Sequence, residues 1–389
     1  MSGGVDSSVA AHLLIEAGYD CTGATMRLID DDLAGQAGER APESGCCSLA
    51  DVEDARAVCA RLGIPHYTLN FAAEFTRRVI EPFVSAYQRG ETPNPCIDCN
   101  RFLKFEHLLA RALTLGYDYI ATGHYARIRR GAQGRQEPQE RQESPGRQEE
   151  KYHLLRGVDS NKDQSYVLYA LTQAQLAHTL LPLGDLTKAE VRSIATRLGL
   201  QTAEKPESQD ICFVSEGDYR SFIGRFTKQA ACPGPIVDNV GQRIGMHQGL
   251  AAYTVGQRKG LGVAMGHPLY VQRIDVANNT LVVGGAEGLY AQGACIRDMN
   301  MIVYEHIDEP LRVTAKHRYR GLEQAAQLSL LVGGRAEVLF DELQKAITPG
   351  QALVCYQGDE VVGGGVITTT TLFGCRLFQR APDCSSGAF

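Results

Sequence analysis

Between residue 1 and about residue 200 the apolar positions switch repeatedly between helical and strand-like spacing. Val9, Leu13, Leu14 and Ala17 recur at helical intervals and predict a helix over 7–17. Segments 20–28, 65–71 and 117–128 have strand length and composition, and further helices fit 49–62, 72–88, 101–115 and 187–198. The last of these carries a capping box, Thr187 with Glu190 three residues on, and stops at Gly199. Strand and helix alternating at this spacing call for a parallel sheet wound by right-handed crossovers, an α/β domain over 1–214. Residues 131–151, GAQGRQEPQERQESPGRQEEK, hold no apolar residue able to anchor them. They predict a disordered insertion between strands 117–128 and 152–158.

The texture changes after about residue 214. Residues 215–288 combine a helix over 218–227 with Gly-rich turns and short strands, including the stretch from Tyr253 to Gly262, and predict a small central domain. From 289 to 380, β-like runs at 294–303, 311–319, 326–332, 335–340, 352–357 and 361–369 follow one another. Turn signals such as Gly333-Gly334 and Pro349-Gly350 separate them, which predicts a C-terminal antiparallel β-barrel with a loose tail at 381–389.

Composition narrows the class. A chain of 389 residues with 44% hydrophobic and 22% charged residues suits two or three globular domains. No apolar run approaches bilayer-spanning length and no signal-peptide pattern opens the chain, so the prediction is a cytoplasmic protein with no membrane partner. A net charge of −6 does not point to a nucleic-acid binder, since duplex-tracking proteins usually carry a basic surplus, and does not exclude one. Nucleic acid would have to be met by local patches such as 316–320 or Arg258-Lys259. Twelve cysteines without a secretion signal belong to a reducing compartment. Cys21, Cys59, Cys232, Cys295, Cys355, Cys375 and Cys384 stand singly and read as small buried residues or idle thiols, whereas Cys46-Cys47, the pair Cys96 and Cys99, and Cys212 call for chemistry.

The first chemical signal is the string SGGVDSS at 2–8. A glycine turn runs directly into hydroxyls and a helix, so backbone N–H groups and a helix N-terminus converge on one point suited to an anionic phosphate. A glycine turn with Ser and Asp capping is the plainer reading of those residues. No Gly-Lys-Ser/Thr follows, which excludes the common mononucleotide P-loop. The string resembles the pyrophosphate-binding loop of N-type ATP pyrophosphatases.

The second signal is TPNPCIDCN at 92–100. Pro93 and Pro95 fix φ around Asn94, and the segment reads as a rigid loop holding a thiol over a pocket. By itself the C-x-x-C could be a redox pair, half a zinc site or a cluster ligand. Cys212, in ESQDICFV at 207–214, could by itself be a buried structural residue. Taken in order, SGGVDSS, TPNPCIDCN, ATGHYAR at 121–127, NKDQSYVL at 161–168 and ESQDICFV resemble the tRNA-specific 2-thiouridylases of the MnmA type. The resemblance extends through YTVGQRKGLG to RYR and TPGQ and covers nearly the whole chain.

That resemblance implies a nucleotide-binding α/β domain, a central domain and a C-terminal barrel that together grip a tRNA. Sulfur then replaces O2 of the wobble uridine, after adenylation by ATP with Mg²⁺ has made that oxygen a leaving group. It also implies a persulfide-donating sulfur-relay partner, and no protein ligand set for a metal. Cys212 falls at the position that accepts persulfide sulfur and Cys99 at the catalytic nucleophile, the two ending in a disulfide. Met1, Ser2, Gly3, Gly4, Val5, Asp6 and Ser7, with Met26 and Gly123, fall at ATP positions. Asn94, Pro95 and Cys96 fall at the flipped target base, and His124, Lys162, Asp163, Gln164, Arg318, Tyr319 and Gln351 at tRNA-contact positions.

Two departures qualify the match. Cys96 stands where many relatives carry Asp, and Asp98 is the nearby candidate for that acid–base role. In this fold the loop follows a buried strand, so the expectation is that a first strand is encoded upstream and that Met1 is an internal methionine. Three other classes share parts of the pattern. An iron–sulfur-cluster tRNA thiolase would use Cys96, Cys99 and one of Cys46, Cys47 or Cys212. Amidotransferase-type synthetases carry the same loop without this cysteine set, and a non-catalytic RNA-binding module would bind tRNA without ATP-dependent chemistry.

Overall fold

The computed structural model describes residues 1–29, 49–131, 151–206, 211–214, 219–227, 232–263 and 265–371. Cys46, Cys47, Cys375, Cys384, nearly all of the 131–151 insertion, Glu207–Asp210 and the tail lie outside the described residues.

The N-terminal region alternates as the periodicity predicts. Helix α1 (Val5–Glu16) leads to β1 (Gly23–Arg27), and α2 (Leu49–Leu62) leads to β2 (His66–Asn70). Strands β1 and β2 pair in parallel, with Gly23 opposite His66 and Arg27 opposite Asn70. Two long helical stretches follow, α3 over 72–88 and α4 over 95–114, each containing wider π-helical turns at Thr76–Ile80 and Cys99–Leu108. Such turns recur at functional sites. Helix α4 starts earlier than the pattern of apolar positions predicts. Pro95 sits at its first position and Asn94 caps it, accepting from the Cys96 N–H at 3.2 Å, so the cysteine pair lies on a helix and not in a loop.

The run 117–128 is not one strand. It breaks at 122–125 into β3 (Ile120–Ala121) and β4 (Ala126–Arg130). Strand β4 forms a hairpin with β5 (Tyr152–Arg156), while β3 pairs in parallel with β6 (Thr179–Leu180). Between β5 and β6 lies the short α5 (Gln173–Ala177); α6 (Lys188–Arg197) follows with the predicted capping box, and Gly199 takes φ +60 beyond its end. Among the described residues the parallel layer is therefore two strand pairs, β1–β2 and β3–β6, and not one continuous sheet.

Helix α7 (Tyr219–Thr227) opens the central region, whose four strands β7 (Gly234–Val237), β8 (Arg243–His247), β9 (Tyr270–Asp275) and β10 (Thr280–Gly284) form one sheet in the order β8-β7-β10-β9. The C-terminal strands are β11 (Tyr290–Met301), β12 (Leu311–Lys316), β13 (Gln324–Leu331), β14 (Arg335–Lys345), β15 (Ala352–Gln357) and β16 (Glu360–Thr371). They run β11-β14-β13-β12-β15-β16 and close through β11–β16 into an antiparallel barrel. The hairpin β4–β5 attaches to β16 through Glu360 and Leu155, fastening the α/β region to the barrel. There the His153 ring meets the Glu360 carboxylate, both buried. No helix among the described residues is long and apolar enough to cross a membrane.

Candidate active site

Glycines shape the loop ahead of α1, and its surroundings then lock it. Gly3 takes φ +67, which glycine enters without steric cost. A Cβ there would lie 2.3 Å from the Asp51 carbonyl oxygen, so the loop rests backbone to backbone on the start of α2. Gly4 is the extended N-cap of α1 and supplies no side-chain cap. Ser7 Oγ and Ser8 Oγ instead donate back to the Gly4 carbonyl at 3.1 and 2.8 Å. Gly123 packs on the other side, where a Cβ would lie 2.8 Å from the Asp6 carbonyl carbon and 2.9 Å from the Ser7 nitrogen. Met1 anchors the entry: its ammonium donates to the Ala24 carbonyl of β1, and Thr25 Oγ1 donates to the Met1 carbonyl at 2.8 Å. Burial and that ammonium lower the neighbouring His66.

Two lysines that the sequence reading did not single out complete the frame. Lys188, at the first position of α6 and 9% exposed, places Nζ 2.7 and 2.8 Å from the two Asp6 carboxylate oxygens. Tyr125 Oη donates to Asp6 at 2.7 Å. Lys205 Nζ donates to the Gly3 carbonyl at 3.1 Å and to Asp51 and Asp54 at 2.6 Å each. Burial alone would pull the Lys205 ammonium down, but its hydrogen bonds to the two aspartates outweigh that and raise it. The signal for Lys188 was present in the Thr187 capping box, which fixes where α6 begins and hence where Lys188 stands.

The thiols sit across the same cleft. Cys96 is exposed in the first turn of α4, and Cys99, one turn on, is half-buried. Cys212 is half-buried as well. Its neighbour Phe213 makes edge contacts with Phe75 at 5.5 Å and Phe83 at 5.3 Å, which holds the Cys212 segment against α3. Cys99 and Cys212 pack on this one aromatic cluster although they lie far apart in sequence. Asn100, next to Cys99 in sequence, is buried, donating to the Val167 carbonyl at 3.2 Å and accepting from Lys104 Nζ at 2.8 Å.

The remaining candidates divide by position. His124 is buried with Nδ1 2.7 Å from Thr122 Oγ1; burial, helped by Lys104, holds it well below the usual histidine range, so the ring is neutral. Asp163 is used inside its own loop, accepting from the Gly157 and Ser165 N–H groups at 3.1 Å each and from Ser165 Oγ at 2.9 Å. Gln164 accepts from the Tyr125 N–H at 3.0 Å and so steadies the residue that holds Asp6. Arg318 donates to the Lys345 carbonyl at 2.9 Å, and Tyr319 lies 5.9 Å from the Tyr166 ring. Gln351 donates to the Thr92 carbonyl at 2.6 Å, tying the barrel to the segment that enters α4. Burial pushes the Asp98 carboxyl up to about 6, with Arg101, Arg297 and Asp298 as its charged neighbours. Asp98 does not line the cleft, so the acid–base role expected of it is not supported.

One cleft of about 2170 Å³ joins these parts. Gly4, Val5, Asp6, Ser7, Met26 and Gly123 line it together with Asn94, Pro95, Cys96, Cys99 and Cys212, and Met26 packs on the same aromatic cluster as Cys99 and Cys212. Met1 and Ser2 also border it, as do His124, Lys162, Asp163, Gln164 and Tyr319. Gly3, Arg318 and Gln351 do not, and act on its surroundings. Lys104, Arg127, Arg156, Lys316 and Arg320 stand on its walls, with Arg127 paired to Asp359 and Arg156 to Glu323 of the same lining. Among the described residues no group of three or more His, Cys, Asp or Glu side chains is placed to hold a metal ion, which leaves the iron–sulfur alternative without support.

Three family models match successive parts of the chain. Family models described as a tRNA methyl transferase HUP domain, a tRNA methyl transferase PRC-barrel domain and an aminomethyltransferase β-barrel domain match residues 1–216, 220–285 and 291–367. A tRNA-specific 2-thiouridylase MnmA of Moorella thermoacetica is 53% identical over 94% of this chain and 98% of that protein. The chain belongs to the MnmA family. A second MnmA, from Acetivibrio thermocellus, is 48% identical over 94% of this chain and 97% of its own length. Within the family frame, the first matched domain carries the phosphate-type loop and the four cysteines that line the cleft, Cys21, Cys96, Cys99 and Cys212. The third carries the barrel that Gln351 fastens to Thr92.

Proposed function

We propose that this chain is a cytoplasmic tRNA-uridine 2-sulfurtransferase that uses ATP to replace O2 of the wobble uridine by sulfur. The observation that carries this reading is one cleft lined both by a helix N-terminus without a side-chain cap, behind a glycine loop, and by Cys96, Cys99 and Cys212. A uracil carbonyl oxygen leaves poorly, and ATP supplies the adenylyl group that makes it leave as AMP. The 2–8 loop would hold the departing pyrophosphate through preorganised N–H groups and hydroxyls, with Lys188 fixing Asp6 and Lys205 fixing Gly3. Mg²⁺ would be held through the nucleotide phosphates.

Sulfur enters as a persulfide on Cys212, delivered by a relay protein. The Cys99 thiolate attacks the Cys212 Sγ, the outer sulfur leaves as sulfide and attacks C2, AMP departs, and a Cys99–Cys212 disulfide remains. Common packing of both thiols on the Phe75–Phe213 cluster supports that closure. Asn94, Pro95 and Cys96 would wall the flipped base, and the basic side chains of the cleft would meet tRNA phosphates. Incubation with tRNA, ATP, Mg²⁺ and a persulfide donor, followed by nucleoside mass spectrometry, is expected to yield 2-thiouridine. Cys99→Ser and Cys212→Ser should each abolish it; either variant matching the wild type would sink the mechanism.

A further inference from the structure

Cys96 makes and breaks no bond in the steps above, where it only walls the flipped base, yet it stands one helical turn before Cys99 and lines the same cleft. The Cys99 N–H donates to both the Cys96 and the Pro95 carbonyls, so this first turn is partly tightened toward 3₁₀ geometry. In such a turn residues three apart come toward eclipse. Helical rise and radius put their Cα atoms about 5 Å apart, inside the range of about 4.4–6.8 Å that a disulfide spans. Cys96 is also exposed, and so is open to an external reductant, whereas Cys99 and Cys212 are half-buried against aromatic rings.

We propose that Cys96 resets the enzyme after each turnover. The Cys96 thiolate attacks the Cys99 sulfur of the Cys99–Cys212 disulfide. The Cys96–Cys99 bond forms, the Cys99–Cys212 bond breaks, and Cys212 leaves as a thiolate ready for the next persulfide. No electrons enter in this exchange, because one disulfide replaces another; the new bond is then presented at the surface for reduction by a dithiol. The inference rests on the sulfur-transfer reading above.

The test is a thiolation reaction run without reductant, acid-quenched, alkylated and digested with trypsin. Residues 90–101 hold both helix cysteines in one tryptic peptide, whereas Cys212 lies in the peptide 198–220. In the wild type, peptide 90–101 should be found two hydrogens lighter and Cys212 alkylated. In Cys96→Ser the 90–101 and 198–220 peptides should be recovered cross-linked. Wild-type enzyme that makes 2-thiouridine yet accumulates the Cys99–Cys212 cross-link as the variant does would overturn the inference and leave the sulfur-transfer reading standing. A wild-type reaction that makes no 2-thiouridine would overturn both.

Discussion

At the residue scale the site depends on charges held in fixed places. Asp6 sits in the nucleotide loop with Lys188 and Tyr125 both bonded to it, so removing the lysine leaves a half-buried carboxylate with one neutral donor. Lys188→Met should cost about 2–3 kcal/mol of stability. It should also raise KM for ATP more than it lowers kcat; a urea titration and steady-state kinetics would check this, and an unchanged KM would contradict it. Asp98 makes a second prediction with a defined sign. Its carboxyl titrates near 6 in the folded chain against an ordinary 3.8, so the native state holds the proton more tightly than the unfolded state. Stability contributed by that proton is present at low pH and lost as pH rises through about 4 to 6. Asp98→Asn should flatten that part of the curve of thermal midpoint against pH; a wild-type midpoint that does not fall there relative to the variant would refute it. His124, at a tRNA-contact position by resemblance, borders the cleft as a neutral, buried ring bonded to Thr122.

At the element scale, glycine does the positioning. Gly123 lets the turn after β3 touch the loop before α1, and Gly123→Ala would press a methyl group 2.8 Å from the Asp6 carbonyl carbon. That substitution should weaken ATP binding about tenfold or more while α-helical circular dichroism is retained; unchanged ATP affinity would mean that the contact is not needed. Much at this scale was legible in the sequence. The α6 capping box, α2 and the barrel strands follow from period and turn chemistry, because each is decided within a few residues. The misreadings share a cause. Pro93 and Pro95 look like loop formers, but Pro95 has no N–H to lose at a helix start and Asn94 supplies the cap, so the cysteines join α4. The run 117–128 is apolar enough for one strand, yet Gly123 must bend it toward the loop, and only the tertiary partners β6 and β5 reveal the two halves.

At the scale of the whole molecule, the barrel acts as a clamp on the site. Gln351 and the Pro349 carbonyl grip Thr92 just ahead of α4, while the β4–β5 hairpin docks on β16 through Glu360. Neither contact was legible in the chain, since each joins segments separated by two hundred residues or more. The lysine frame escaped for the same reason: Lys188 and Lys205 reach the loop across 182 and 202 residues of chain. The motifs told which residues matter, and long-range packing told which of them touch. The central claim is that one cleft couples phosphate chemistry at its glycine loop to sulfur chemistry at its thiols. Its most direct test is the stoichiometry of a single turnover with Cys212 preloaded as persulfide, measuring pyrophosphate, AMP and 2-thiouridine together. One of each per active site is the predicted result. Formation of 2-thiouridine without pyrophosphate release, or from enzyme whose Cys212 carries no persulfide, would contradict it.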